Sequence, residues 1–247
     1  MSKSKPITLT LGPNDYGSEI TALFFLQTFQ QLASLHATEL GVSAERLAED
    51  QLAWMLHRLK IRFHSWPCSD QVFEFESYPS GFFRMLATRD FIVRNQEGEI
   101  IVQATSAWLV ANTMKRRAVP IPDWIQQCAP AYAPANLDLS NRRIVARKEA
   151  LPTIAKLSVQ ETDIDFLNHV NNTRYSHWVL THVPSTFMSD YELEELDILF
   201  KNEARLHDQL HIERFQDSNT FSHRIRNAKD QVELIQAKTR WRPRQKC

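Results

Sequence analysis

The octapeptides "IVQATSAW" (residues 101–108) and "LIQAKTRW" (residues 234–241) align without a gap. Gln, Ala and Trp coincide in the two copies, and other positions exchange Ile for Leu, Val for Ile and Ser for Thr. Each copy follows a polar turn, "NQEG" in the first half of the chain and "NAKD" in the second. Because the two octapeptides agree both in their residues and in their position after a polar turn, they indicate an internal duplication, in which each half forms the same structural unit.

The order of hydrophobic patterns supports this duplication, because each half shows a strand, a helix and then four strands. In the first half, the alternation "ITLTL" precedes an apolar helical segment with Ser18 as predicted N-cap and Gly41 at its end. That helix is apolar over much of its circumference and should be buried. The pattern predicts an α+β fold of two antiparallel sheets, each wrapped around an apolar helix. The other predicted elements are strands near 54–65, 71–78, 82–94, 99–112, 154–162, 194–204, 208–215, 220–227 and 231–242, and a helix at about 170–181.

Four prolines and an "APAYAPAN" run interrupt the pattern between the two halves. Residues 113–150 are therefore predicted to be a linker, with room for a short helix near 123–128. The predicted domains are residues 1–112 and residues 151–247.

The composition is that of a globular protein, with 43% apolar residues and 29 basic against 29 acidic side chains. Basic clusters at 114–117, 141–148 and 240–246 indicate either a solvated surface or a docking face for an acidic partner. No nucleic-acid-binding motif surrounds them, so no nucleic-acid partner is predicted. Three widely spaced cysteines form neither a zinc pattern nor a disulfide framework, which favours a reducing cytoplasm. No apolar stretch is long enough to predict membrane insertion.

Polar side chains concentrate in "ETDIDFLNHVNNTRYSHWVL" (161–180), where a predicted strand passes into the second helix. A helix start offers unpaired backbone N–H groups and the positive end of the helix dipole, both suited to an oxyanion. The backbone N–H groups of Val170 and Asn171 are therefore candidate oxyanion donors. Asn171 is also a good capping residue. The start of the first helix has no matching acid–histidine set, so the second half is expected to carry the active site.

The segment "DIDFLNHVNNTRYSHW" resembles the D-x-D-x-N-x-H-V-N-N-x-x-Y-x-x-W signature of acyl-acyl-carrier-protein (acyl-ACP) thioesterases. Three further segments resemble that family in the same order. They are "LATRDFIVRNQEGEIIVQATSAWLVANTMKRR", "ELDILFKNEA" and "AKTRWRPR". The resemblance implies a tandem, or double, hotdog fold. The first half would hold the acyl-chain pocket, and the second half would be catalytic.

By this resemblance, the family's catalytic residues correspond to Asp165, His169 and Glu203, the last expected on a strand. Leu167 stands where the family has a functional Asn, and Asn168 is the candidate to cover that role. Simpler structural roles remain open. Asp165 could cap the following helix, His169 could be a structural histidine, and Glu203 could pair with a neighbouring cation, Lys201 or Arg205.

The implied reaction is hydrolysis of fatty acyl-ACP to free fatty acid and carrier protein, in fatty acid biosynthesis. Asp165 would act as base or orient the water, with direct attack as a variant, while His169 and Glu203 assist. Trp54, Met55 and Trp108 are candidate acyl-chain-lining residues, with core packing as the alternative.

The resemblance implies no metal and no cofactor. The partner would be an acyl carrier protein with a phosphopantetheine-linked acyl chain, and the protein would be a monomer or homodimer. An acyl-coenzyme A thioesterase and a catalytically degenerate acyl-binding protein are the alternative functions.

Overall fold

The computed structural model describes residues 5–15, 21–67, 71–141, 144, 151–165 and 169–245. The chain divides into two compact units after Leu139. Residues 113–139 thus belong to the first unit, and only the end of the predicted 113–150 linker falls in the second.

The first unit is an antiparallel sheet with one long helix. Its strands follow the order β1-β3-β4-β5-β2, and β6 pairs with β5 beyond the end of β4. The elements are β1 (Ile7–Leu11), a 3-10 turn (Pro13–Asp15), α1 (Ala22–Glu39), α2 (Ala44–Glu49), β2 (Leu52–Phe63), β3 (Phe73–Phe83), β4 (Leu86–Arg94), β5 (Ile100–Asn112), β6 (Arg117–Val119) and α3 (Asp123–Cys128).

The second unit is also an antiparallel sheet with one main helix, and its strands follow the order β7-β9-β10-β11-β8. The elements are β7 (Thr153–Ser158), a 3-10 turn (Glu161–Asp163), α4 (Asn172–Thr181), α5 (Ser185–Met188), β8 (Tyr191–Phe200), β9 (Gln209–Asp217), β10 (Thr220–Asn227) and β11 (Glu233–Pro243).

The two strand orders match element by element, which confirms the duplication predicted from the octapeptides. The repeats lie on β5 and β11, which hold the same place in their sheets. The shared tryptophans even make the same contact. Trp108 Nε1 donates to Ser106 Oγ at 2.9 Å, and Trp241 Nε1 donates to Thr239 Oγ1 at 2.9 Å.

Helix α1 packs on its sheet through aromatic side chains. Phe25 contacts Phe63 of β2 and Phe75 of β3, and Phe29 stacks on Phe91 of β4 with ring centroids 4.6 Å apart. All five rings are buried, so this apolar face supplies much of the first unit's core.

The predicted start of α1 was wrong. Thr21 is the N-cap, and its Oγ1 accepts a hydrogen bond from Phe24 N, so the helix begins at Ala22. Ser18 lies outside the described residues.

The segment after α3 is bound to the first sheet by a buried carboxylate. Asp90 Oδ1 accepts hydrogen bonds from Thr105 Oγ1 and from Asn136 N, both at 2.6 Å. Arg58 donates to the carbonyl of Leu139 at 2.9 Å. Hydrogen bonds of this kind satisfy backbone groups outside regular structure, so a proline-rich stretch can pack as part of a unit.

In the second unit, α4 packs through Tyr175 and Trp178, whose ring centroids lie 5.3 Å apart on one helix face. Tyr175 also meets Phe200 at the end of β8. Among the described residues, no helix combines the length and the apolar character that a membrane crossing needs.

Candidate active site

The polar segment between the 3-10 turn and α4 forms a tight loop. Asp165 N donates to His169 O at 2.9 Å, and His169 N lies 3.5 Å from Asp165 Oδ1. Ile164 and Val170 form an antiparallel bridge at the base of the loop. The loop therefore holds Asp165 and His169 side by side. Residues 166–168, which include Leu167 and the candidate Asn168, lie outside the described residues.

Asp163 anchors this loop from inside the protein. Its side chain is 4% exposed, and its Oδ1 accepts a 2.6 Å bond from Arg174 Nε on α4. Oδ2 accepts a bond from Gln160 N at 2.9 Å, and the Asp163 carbonyl accepts one from Asn171 N at 2.9 Å. A buried carboxylate needs such partners to offset its desolvation. Asp163 caps the turn and fixes the loop rather than facing a substrate.

The start of α4 is capped by Asn171. Its Oδ1 accepts hydrogen bonds from Thr173 N at 2.9 Å and from Thr173 Oγ1 at 2.8 Å. This confirms Asn171 as a capping residue. It also excludes the alternative reading of Asp165 as the helix cap.

Glu203 lies in a loop and not on a strand as predicted, because β8 ends at Phe200. The N–H groups of Lys201 and Asn202 both donate to the carbonyl of Leu234, at 2.8 and 3.2 Å. Asn202 Nδ2 adds a 2.8 Å bond to the carbonyl of Glu233. These bonds replace the regular ladder and turn the chain so that Glu203 leaves the sheet.

The two loops meet through His169 and Glu203. His169 Nε2 lies 3.2 Å from Glu203 Oε2, and the two side chains are 37% and 45% exposed. The predicted alternative pairing of Glu203 with Lys201 is not seen, because Lys201 Nζ contacts Glu233. His169 therefore contacts Asp165 through its backbone and Glu203 through its ring, and it connects the two carboxylates at a solvent-accessible position.

The assignment of backbone oxyanion donors was wrong for the geometry described. Val170 N donates to Ala204 O at 3.3 Å, and Asn171 N donates to Asp163 O at 2.9 Å. Both N–H groups are thus already used by backbone carbonyls. The sequence indicated a helix start but could not show that neighbouring loops would satisfy its donors.

Sequence reasoning did not assign a role at the site to Tyr175. Its hydroxyl oxygen accepts a 2.9 Å hydrogen bond from Ala204 N, next to Glu203. Burial raises the pKa of Tyr175 above its usual value, and the nearby Glu203 and Asp165 carboxylates add to the effect. The available signal was the tyrosine within the family signature.

The three candidate lining residues do not share one face of the first sheet. Trp54 lies opposite Val110 in the β2–β5 pair, and Trp108 lies two residues before Val110, so both tryptophans are on one face. Met55 lies opposite Leu109 and faces the other way.

The two tryptophans on the shared face already have structural contacts. Trp54 Nε1 donates to Val42 O at 2.9 Å, and its ring packs against a cluster that includes Leu47 and Ile125. Trp108 bonds to Ser106 as described above. Packing is therefore an established role for Trp54.

Two family models match most of the chain. Residues 8–128 match the model of the acyl-ACP thioesterase N-terminal domain, and residues 146–243 match that of the C-terminal domain. The chain therefore belongs to the acyl-ACP thioesterase family.

Curated relatives are similar over most of this chain. A chloroplastic palmitoyl-acyl carrier protein thioesterase from Gossypium hirsutum is 25% identical over 93% of this chain and 62% of its own length. An oleoyl-acyl carrier protein thioesterase from Coriandrum sativum is 27% identical over 73% of this chain and 53% of its own length. The chain thus spans somewhat more than half the length of these relatives.

Solved structures share the fold. An acyl-ACP thioesterase from Bacteroides thetaiotaomicron has a TM-score of 0.85 at 20% identity, covering 96% of this chain and 98% of the other. The 12:0-ACP thioesterase from Umbellularia californica also has a TM-score of 0.85 at 20% identity, covering 97% and 98%.

Proposed function

We propose that the protein is a thioester hydrolase that converts fatty acyl-ACP to free fatty acid and carrier protein. Family membership supports the reaction class, and the 3.2 Å contact between His169 and Glu203 beside Asp165 supports the site. That contact is the observation on which the proposal rests. It brings Glu203, on one loop, to the loop that already holds Asp165 and His169 side by side.

The proposed chemistry needs a base, an oriented water and a hydrogen-bond donor to the developing oxyanion. Asp165 accepts a proton from the water as the water attacks the thioester carbonyl carbon. The carbon–sulfur bond then breaks, and the phosphopantetheine sulfur leaves as a thiol by taking the proton that Asp165 had accepted. Glu203 holds the His169 ring, which orients the water or polarises the carbonyl. Because the N–H groups of Val170 and Asn171 are already bonded, we keep only His169 and Asn168 as candidate polarising side chains.

We further propose that the two units are the halves of a double hotdog, with the acyl chain held by the first. Trp54, Met55 and Trp108 stay candidate lining residues, with Met55 on the sheet face opposite the two tryptophans. The exposed turn with Lys115 and Arg116 is the candidate docking site for the acidic carrier. A cytoplasmic location, the absence of a cofactor, and a monomeric or homodimeric state stay predictions.

The test is hydrolysis of one acyl group presented on ACP and on coenzyme A, with the Asp165→Asn variant beside the wild type. We expect faster turnover on ACP and loss of turnover in the variant, with an unchanged melting temperature. Equal rates on the two carriers would favour the acyl-coenzyme A alternative. Undiminished hydrolysis by Asp165→Asn would remove that carboxylate from the mechanism.

Leu167 gives the degenerate acyl-binding alternative its only specific support, because a leucine cannot hydrogen-bond a carbonyl. Replacing Leu167 with Asn distinguishes the two functions. An active enzyme should keep or gain activity in this variant. An acyl-binding protein should bind the lipid tightly and hydrolyse nothing, with or without the Asn.

A further inference from the structure

The loop that carries Glu203 is bound to the rest of the site by both backbone groups of the next residue. Ala204 O accepts a hydrogen bond from Val170 N, one residue after His169. Ala204 N donates to the hydroxyl of Tyr175 at 2.9 Å. Ala204 is completely buried, so each of these groups would be unsatisfied without its partner.

Tyr175 is suited to hold this backbone in place. It lies one turn inside α4, is 2% exposed, and its ring is fixed by edge contacts with Trp178 and Phe200. Burial raises its pKa, so the hydroxyl accepts from Ala204 N–H as a neutral group and adds no charge to the buried position.

We infer that Tyr175 is a positioning residue, whose hydroxyl holds the Ala204 backbone so that Glu203 reaches His169. The inference rests on the proposed function, since it assigns Tyr175 to that site. Without the hydroxyl, Ala204 N–H loses its buried acceptor, and the loop must shift to find another. Displacing a catalytic group by about 1 Å can cost on the order of 100-fold in rate.

The first test is the steady-state kinetics of Tyr175→Phe on acyl-ACP. We expect kcat to fall by about 10- to 100-fold with KM within about twofold, because the acyl-binding surface is untouched. The matched control is Tyr78→Phe, which removes a hydroxyl of a tyrosine that is 3% exposed and bonded to Asn136 Oδ1 at 3.2 Å in the other unit. The control should keep kcat within about twofold.

The second test needs no turnover and follows the His169 ring by NMR in protein labelled with ¹⁵N-histidine. The His169 signals are those lost in His169→Gln. In the Tyr175→Phe variant the His169 signals should move toward the positions that they take in the Glu203→Gln variant. The Glu203→Gln variant serves as the reference because it changes the His169 Nε2–Glu203 contact directly. The His169 signals should not move in Tyr78→Phe.

The outcomes separate this inference from the proposed function. If the wild type hydrolyses no acyl-ACP, the proposed function fails, while the His169 signals still report the positioning. Unmoved His169 signals, or a kcat within twofold of the wild type, would overturn the role of Tyr175.

If Tyr175→Phe does not fold, a ring-fluorinated tyrosine placed at 175 keeps the hydroxyl but accepts hydrogen bonds less well. It should shift the same signals in the same direction, and unmoved signals would again overturn the role.

Discussion

The two units share a strand order, but His36 in the first unit and His169 in the second have opposite surroundings. In the first unit, His36 lies in the last turn of α1, buried, with Nδ1 3.0 Å from an Arg89 guanidinium nitrogen. Burial and the Arg89 charge lower the pKa of His36 to about 4, so it stays neutral. In the second unit, His169 lies before α4, is partly exposed and faces Glu203. A duplicated fold can thus bury a histidine among structural contacts in one copy and leave another partly exposed at the candidate site in the other.

A second contrast lies on the inner faces of the sheets. Phe91 pairs with Ala104 on β5, and His223 pairs with the equivalent Ala237 on β11, so Phe91 and His223 hold matching places. His223 is fully buried, with Nε2 3.1 Å from Thr239 Oγ1. No partner for its Nδ1 is found among the described residues. The second unit therefore contains a titratable imidazole ring where the first has a phenyl ring.

The largest expected effect separates the two histidines by activity. His169→Gln should lower kcat on acyl-ACP by about 10²- to 10⁴-fold, the usual contribution of an acid–base or polarising group. His36→Gln should leave kcat within about twofold and lower the melting temperature, because His36 is buried and its ring contacts Arg89 of the first unit. If the two variants lost activity equally, the functional contrast between the units would be wrong.

The next effect concerns stability and compares two ion pairs. Asp163→Ala leaves Arg174 without its buried partner and should cost about 2–4 kcal/mol of unfolding free energy in urea titrations. The exposed pair between Arg46 and Asp50 in the first unit provides the control, since Asp50→Ala should cost less than about 1 kcal/mol. Similar costs for both variants would contradict the anchoring role of Asp163.

The last prediction is a pH dependence and concerns the position where the units differ. Burial, with smaller effects from Arg214 and His182, lowers the pKa of His223 to about 3. Between about pH 6.5 and pH 3 the unfolded chain binds a proton at this position that the folded protein does not. Stability from this residue is therefore lost as the pH falls, by up to about 1.4 kcal/mol per pH unit.

His223→Phe, which copies Phe91 of the first unit, should flatten this acid slope. The measurement is unfolding free energy in urea at several pH values between 4 and 7, for wild type and variant. Parallel curves for the two proteins would show that His223 is not the titrating group.

Much of the fold was readable from periodicity, because the octapeptides marked equivalent strands and the order of elements matched in both halves. The ends of elements that depend on non-local hydrogen bonds could not be predicted from periodicity. The strand containing Glu203 was predicted to reach residue 204, yet it ends at Phe200 because Asn202 bonds to β11. Nothing local showed that the segment predicted as a linker would bond to the first sheet through Asn136 and Asp90.

At the site, the sequence identified candidate residues. It could not show which backbone N–H groups would already be hydrogen-bonded to neighbouring loops. Asp165, His169 and Glu203 came from the family resemblance, and the geometry brings His169 into contact with both acids. The oxyanion donors failed because Val170 N–H is used by Ala204, a residue distant in sequence. Tyr175 was given no role at the site for the same reason, since its bond to Ala204 depends on how two loops meet.

The most direct test of the central claim, that the His169–Glu203 contact operates in thioester hydrolysis, is kcat of Glu203→Gln on acyl-ACP. We predict a fall of about 10²-fold or more with an unchanged melting temperature, because glutamine keeps the shape and removes the charge. A kcat equal to that of the wild type would contradict the account.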